Sequence, residues 1–230
     1  MNYIQEQNAT PLMSQADESL IRQTAGFVRQ RLVHAEAGHD WWHIQRVWNN
    51  VKLILQQESA DRLICELAAL LHDIADSKFH GGDETLGPKI AGDFLQSLKV
   101  RQDIIEHVQA IILNMSYKAS LGHIAFHSKE LEIVQDADRL DAIGAIGIAR
   151  AFHYGGFKNR ELYDPEVAPN IHQDKEAYKN STAPTINHFY EKLLLLKDKM
   201  NTTKAKQIAE ERHAFMEQYL EQFYREWHGA

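Results

Sequence analysis

Apolar residues recur along most of this chain at the three- and four-residue spacing that is typical of amphipathic helices. Six such segments lie between residues 14 and 141. Two further ones run from Thr185 to about Met200 and from Thr203 to Trp227. We find no convincing alternation of the kind that marks a β-strand. The pattern therefore predicts an all-α fold, a helical bundle that ends in two long C-terminal helices.

One stretch interrupts this periodicity. Residues from about 155 to 184 are polar and rich in turn-forming residues, which is typical of a long surface loop. Loops of this length are often lids or binding segments. We expect one domain over residues 1–230, with a core at about 20–155, this loop or lid at about 155–184 and the C-terminal helices at about 185–227.

Composition narrows the function classes. The chain has 230 residues, of which 44% are hydrophobic, and this is enough for one domain with a sizeable core. Its formal net charge of -7 argues against a nucleic-acid-binding surface, because such domains are usually basic. No apolar stretch is long enough to cross a bilayer, and the N-terminus lacks a signal-peptide pattern. These features predict a cytoplasmic protein that binds neither nucleic acid nor membrane.

The dipeptide His72-Asp73 ends a strongly apolar helical segment, residues 63–71. A helix this apolar should be buried, and Asp is almost never fully buried unless it is paired or bound to a metal. A divalent cation would satisfy both side chains at once. Two further candidate ligands share the apolar faces of other predicted helices: His43 lies four residues before Val47, and Asp138 lies four residues after Val134.

Two imidazoles and two carboxylates form a mixed nitrogen and oxygen donor set. Four protein ligands on an octahedral ion leave two positions open for water and substrate. Such a site suits Mn, Ni, Co, Fe or Mg better than a closed structural zinc site. The sequence thus predicts one divalent ion, with His43, His72, Asp73 and Asp138 as its ligands.

The sequence gives weaker evidence for other residues in catalysis, phosphate binding or metal binding. Asp76 lies one helical turn beyond His72, where it either assists catalysis or merely forms a hydrogen bond in the following loop. Possible phosphate contacts are Lys78, His80, Lys118 and Arg139, although a solvated charge is an alternative for each. A second His–Asp dipeptide, His39-Asp40, is better explained by Asp40 capping the next helix.

The residues around the four candidate ligands resemble the HD-domain superfamily of metal-dependent phosphohydrolases. The matching segments are Trp42-His43-Ile44-Gln45-Arg46-Val47, Leu71-His72-Asp73-Ile74-Ala75-Asp76 and Gln135-Asp136-Ala137-Asp138-Arg139-Leu140. The resemblance covers about residues 20–155 and implies an all-helical fold, one catalytic metal ion and an active-site role for Asp73. In nucleotidase relatives, the position of Asp76 carries an acid/base or water-orienting group, commonly Glu or His, so the shorter Asp is a departure.

The C-terminal segment around Ile186 to Leu193 is similar to a bacterial subgroup of nucleotide pyrophosphohydrolases. This similarity implies hydrolysis of a nucleoside triphosphate to the monophosphate and pyrophosphate. Alternatives are a nucleotide phosphatase or 5′-nucleotidase, a catalytically inactive nucleotide-binding regulatory module, and a metal-stabilised interaction protein. We expect a nucleotide as the partner and allow for a homodimer. The last predicted helix carries aromatic residues at helical spacing, which indicate contacts either in the core or in a dimer: Phe215, Tyr219, Phe223 and Trp227.

Overall fold

The computed structural model describes residues 13–33, 40–75, 83, 85–115, 126–171 and 181–230. These residues form helices and connecting segments and contain no β-strand, so the all-α expectation is confirmed. The first seven α-helices are α1 (Gln15–Arg31), α2 (Trp41–Ile54), α3 (Arg62–Leu71), α4 (Leu86–Ser97), α5 (Gln102–Asn114), α6 (Lys129–Asp141) and α7 (Gly144–Phe157). They are followed by α8 (Thr185–Glu191), a 3₁₀ segment (Leu193–Lys199) and α9 (Thr203–Trp227).

Side-chain caps fix the start of α2 and the start of α3. Asp40 Oδ1 accepts a hydrogen bond from the backbone N–H of His43 at 2.9 Å, which confirms the capping role of Asp40. Asp61 Oδ1 accepts one from the N–H of Ile64 at 3.1 Å. Because the Asp40 cap closes the first turn of α2, it also sets the position of His43 within that turn.

Helix α3 lies at the centre of the bundle and contacts α1, α2, α5 and α6. Every residue from Ile64 to Leu71 is buried. One of them is the acid Glu66, whose carboxylate accepts hydrogen bonds from Trp48 Nε1 and Arg62 Nε, each at 2.6 Å. The apolar helix therefore delivers His72 and Asp73, at its C-terminal end, to the interior of the molecule.

The C-terminal region departs from the sequence pattern in one respect. The predicted helix from Thr185 to Met200 is divided into α8 and the 3₁₀ segment by Lys192, whose backbone angles are φ -145° and ψ -56°. Helix α9 then packs beside α7. Gly144 opens α7 at φ +73°, and a Cβ there would lie 3.0 Å from Arg212 Cγ of α9, so both the conformation and the close approach favour glycine.

The polar stretch after α7 is partly anchored. Helix α7 extends to Phe157, so the predicted loop begins slightly later than expected. Tyr163 packs edge-on against three aromatic rings of α9, with centroid distances of 5.1–6.1 Å to Phe223, Tyr224 and Trp227. Residues 172–180 lie outside the described part of the chain, so a lid role for the stretch stays a prediction.

Within the described helices, none is long and apolar enough to span a membrane.

Asp136 joins α6 to the segment before α9. Its carboxylate is fully buried and accepts hydrogen bonds from the backbone N–H groups of Asn201 and Thr202 and from Thr202 Oγ1, at 2.7–3.0 Å. Arg139 Nη1 donates to the carbonyl of Lys199 and lies 3.5 Å from Asp136 Oδ1. Asp136 therefore has a structural role on a face of α6 that differs from the one carrying Asp138.

We expect Asp136→Ala to lower the free energy of unfolding by about 3–5 kcal/mol, because it leaves buried donors without an acceptor. Urea denaturation measures this loss. The affinity for Mn²⁺, measured by calorimetry where the variant is fully folded, should stay at the wild-type value. Undiminished stability would contradict the structural role, and a stable variant that has lost its metal would make Asp136 a ligand.

Candidate metal centre

Two helix ends bring the first three candidate ligands together. His43 lies in the first turn of α2, His72 caps the C-terminus of α3, and Asp73 follows it. Each offers one ligand atom, and these atoms all lie within 4.8 Å of one another. His43 Nε2 is 3.2 Å from His72 Nε2 and 3.5 Å from Asp73 Oδ2, and His72 Nε2 is 3.7 Å from that same oxygen.

The outer ring nitrogens determine what these imidazoles present to each other. His43 Nδ1 lies 2.8 Å from Asp141 Oδ2, and His72 Nδ1 lies 2.8 Å from the carbonyl oxygen of Ala69. Both partners are acceptors, so both Nδ1 atoms carry the proton and donate. In the neutral rings, each Nε2 then presents a lone pair to the other Nε2 and to Asp73.

The three acceptors of His43, His72 and Asp73 face one small space and favour a cation there. Adjacent ligands of an octahedral ion with bonds of about 2.1 Å lie about 3.0 Å apart, close to the separation of the two Nε2 atoms. His43, His72 and Asp73 thus fit a divalent ion in both chemistry and spacing.

Asp138 borders this group on its more open side. Its Oδ1 is 3.5 Å from His43 Nε2, and its side chain is 40% exposed, against 19% for Asp73. Both histidine side chains, by contrast, are almost fully buried. Asp138 does not belong to the tightest group of three, so its role as the fourth ligand stays a prediction.

The protonation of His43 shows how strongly this space attracts positive charge. Burial opposes protonation, but hydrogen bonds to Asp141 and Asp73 and the charge of Asp138 outweigh it and raise the pKa of His43 from 6.5 to about 9. Without a metal ion, protonation of His43 supplies the positive charge. An ion that binds at Nε2 must displace that proton.

Asp141 is the residue behind His43, and sequence reasoning gave it no role. Its buried carboxylate accepts hydrogen bonds from His43 Nδ1 at 2.8 Å, from Arg46 Nε and Nη2 at 2.6 and 3.1 Å, and from Arg150 Nη1 at 2.6 Å. Burial alone would raise the pKa of Asp141, but the contacts with His43, Arg46 and Arg150 hold it well below its usual range. An ionised Asp141 fixes both the orientation and the tautomer of His43.

Polar contacts hold α6 in register against its neighbours near the centre. Asn50 Nδ2 of α2 donates to the carbonyl of Ala137 at 3.0 Å, next to Asp138. Arg212 of α9 donates to the carbonyl of Leu140 and to Asn50 Oδ1. Since these carbonyls flank the acids of α6, the contacts set where Asp138 and Asp141 stand relative to His43.

The remaining predicted site residues are Asp76, Lys78, His80, Lys118 and Arg139, and the structure describes Arg139 alone among them. Asp76, Lys78, His80 and Lys118 lie outside the described residues. Helix α3 ends at Leu71 and residues 72–75 form turns, so the helical continuation assumed in placing Asp76 is not observed up to residue 75. Arg139 contacts Lys199 and Asp136 as described above, and its contact with phosphate stays a prediction.

Comparisons with known proteins agree with this geometry. The model of the HD domain matches residues 41–143, a span that includes His43, His72, Asp73, Asp138 and Asp141. YpgQ of Bacillus subtilis is 39% identical over 207 residues, which cover 88% of this chain and 91% of YpgQ.

Two solved structures are similar over nearly the whole chain. A crystal structure of an HD-superfamily hydrolase from Bacillus thuringiensis is 45% identical, covers 93% of this chain and 100% of its own, and has a TM-score of 0.74. The crystal structure of Bacillus subtilis YpgQ in complex with ADP is 36% identical, covers 92% and 96% of the two chains, and has a TM-score of 0.73. The family match, these relatives and the grouping of two imidazoles with a carboxylate agree with one another. The chain belongs to the HD-domain family and is an HD-superfamily hydrolase.

Proposed function

We propose that this protein is a metal-dependent nucleotide pyrophosphohydrolase that converts a nucleoside triphosphate into the monophosphate and pyrophosphate. The convergence of His43 Nε2, His72 Nε2 and Asp73 on one point carries the proposal, since these atoms match a catalytic rather than a structural metal site. The similar YpgQ was crystallised with ADP, which supports a nucleotide as the ligand.

The side chains have two proposed roles: some bind the ion, and others keep the ligands in place. His43, His72, Asp73 and Asp138 are the proposed ligands, and Asp141 keeps Nε2 of His43 free of a proton once the ion is bound. A divalent ion held by these residues would polarise a phosphoryl oxygen and lower the pKa of a bound water molecule. Mn²⁺, Ni²⁺, Co²⁺, Fe²⁺ and Mg²⁺ all accept this donor set.

We further propose roles for residues near the ligands in sequence. Asp76 follows the ligand pair closely and is assigned to proton transfer or to orienting the attacking water. Lys78, with His80 and Lys118, is assigned to the phosphate groups. The stretch at about 155–184 is assigned to a lid over the bound nucleotide.

Product analysis tests the reaction. We expect a panel of nucleoside triphosphates with Mn²⁺, Mg²⁺, Ni²⁺ or Co²⁺ to yield monophosphate and pyrophosphate in equal amounts on chromatography. In ¹⁸O-labelled water, the label should enter the monophosphate, because the proposed attack is on the α-phosphorus. Label in the pyrophosphate would instead indicate attack on the β-phosphorus.

Two other results would overturn the proposal in different ways. Orthophosphate with accumulating nucleoside diphosphate would make the protein a phosphatase that uses the same metal centre. Nucleotide binding without turnover under any of the four metals would make it a regulatory module.

A further inference from the structure

Two arginines cover the buried carboxylate beside the metal centre. Arg46 lies one turn after His43 on α2, and Arg150 comes from α7. Both donate to Asp141, whose side chain is 2% exposed, whereas Arg46 is 33% exposed and Arg150 is 25% exposed. A ligand that approaches Asp141 from solvent therefore meets guanidinium groups and not the carboxylate.

Asp141 holds these guanidinium groups in fixed orientations. Arg46 binds it through two nitrogens, Nε and Nη2, and Arg150 Nη1 binds both the carboxylate and the backbone carbonyl of Asp141. A free arginine side chain loses about 2 kcal/mol of rotamer entropy when a ligand immobilises it. Here the contacts with Asp141 already restrict both side chains before a ligand binds, and such preorganisation favours ligand binding.

The position of the pair relative to the ion suits a chain of phosphates. One Asp141 oxygen contacts both Arg150 Nη1 and His43 Nδ1, and the opposite nitrogen of that imidazole faces the candidate metal centre. The Asp141 carboxylate and the His43 imidazole thus separate the guanidinium groups from the candidate metal position, so the arginines can be reached only by a ligand that extends away from the ion, as a phosphate chain does. Arginine is well suited to phosphate, because its planar fork donates two parallel hydrogen bonds to phosphate oxygens.

We propose that Arg46 and Arg150 form an anion subsite that takes the phosphate chain of the nucleotide and holds the pyrophosphate that leaves. The inference rests on the proposed function, and Arg46 and Arg150 would make the active site selective for polyphosphate. A nucleoside monophosphate held only at the metal centre would not use this subsite.

Binding of inorganic pyrophosphate tests the subsite without any turnover. Isothermal titration in saturating Mg²⁺ compares the wild-type protein with Arg46→Gln and Arg150→Gln. Chelation of Mg²⁺ by pyrophosphate is the same in every experiment, so the ratio of Kd values reports on the protein alone. We expect each substitution to weaken pyrophosphate binding about 10- to 100-fold, the usual scale for a charged hydrogen bond.

Three comparisons separate a subsite from a merely structural role. The affinities for Mn²⁺ and for a nucleoside monophosphate should change less than about threefold in Arg46→Gln, because glutamine still donates to Asp141. Arg46→Lys keeps the charge but loses the fork, and its affinity for pyrophosphate should be intermediate. Arg101→Gln is the control, since this exposed arginine pairs only locally with Asp103, and it should bind pyrophosphate as the wild-type protein does.

Unchanged pyrophosphate affinity in both glutamine variants would overturn the subsite. Equal losses of metal, monophosphate and pyrophosphate would also overturn it, because the arginines would then act only by supporting His43. If Arg46→Gln does not fold, Arg46→Lys and Arg150→Gln decide the question. A product analysis that shows a phosphatase would leave these binding results intact, so the two proposals fail separately.

Discussion

Asp73→Ala should lower turnover of a nucleoside triphosphate at least about a thousandfold. Asp73 supplies negative charge to the space between His43 and His72, and alanine leaves that space with the two imidazoles and the more exposed Asp138. A catalytic metal ion contributes several kcal/mol to the rate, and each 1.4 kcal/mol is a factor of ten. Metal content measured by elemental analysis should fall together with kcat.

Titration with Mn²⁺ distinguishes a ligand from a group that only moves protons. If Asp73 is a ligand, high concentrations of Mn²⁺ should restore part of the activity of Asp73→Ala. Full metal content with lost turnover would instead make Asp73 an acid/base residue. The matched control is Asp93→Ala, because Asp93 is exposed on α4 and pairs with Lys89 one turn away, so its loss should leave kcat unchanged.

Helical periodicity accounts for most of what could be predicted. A side chain four residues from a buried apolar residue shares its face, and this relation placed His43 beside Val47. The same reasoning placed His72 and Asp73 at the end of a buried apolar segment. Helices α2 and α3 pack against each other because each must bury its apolar face. This packing brings His43 close to His72 and Asp73.

Asp141, Arg46 and Arg150 were missed as a group because their contact depends on how three helices cross. Arg46 and Asp141 are 95 residues apart in sequence, and no local pattern sets that distance. A signal was nevertheless present in the spacing. Arg46 lies three residues after His43, and Asp141 lies three residues after Asp138, so each shares a helix face with a candidate ligand.

The break at Lys192 shows another limit of the pattern. Leu193 and Leu196 keep a helical spacing and are both buried, so periodicity alone favours one continuous helix from Thr185 onwards. In the fold, Thr185 and Ile186 donate backbone hydrogen bonds to Glu161 and Leu162, which ties the start of α8 to the stretch after α7. The chain must also bring Asn201 and Thr202 to Asp136. These long-range contacts are absent from any local reading of the sequence.

Asp141→Asn should reduce turnover about 10²–10⁴-fold, although the side chain keeps its size. An amide has only one acceptor oxygen. If that oxygen faces Arg46 Nε, the amide NH₂ replaces the oxygen that faces His43 and donates to Nδ1. The proton of His43 then moves to Nε2, the atom that should bind the ion. The affinity for Mn²⁺ should therefore fall about 10- to 100-fold.

Histidine ¹⁵N spectra of the metal-free variant at pH above 9 report directly which ring nitrogen carries the proton. Glu66→Gln is a matched control: Glu66 is also a buried acid bonded to an arginine, but it contacts Trp48 in place of a histidine. This control should lose stability and keep its Mn²⁺ affinity once folded. If Asp141→Asn retains the Nδ1 proton on His43 and wild-type Mn²⁺ affinity, Asp141 does not set the tautomer, and its hydrogen bonds to Arg46 and Arg150 are its main contribution.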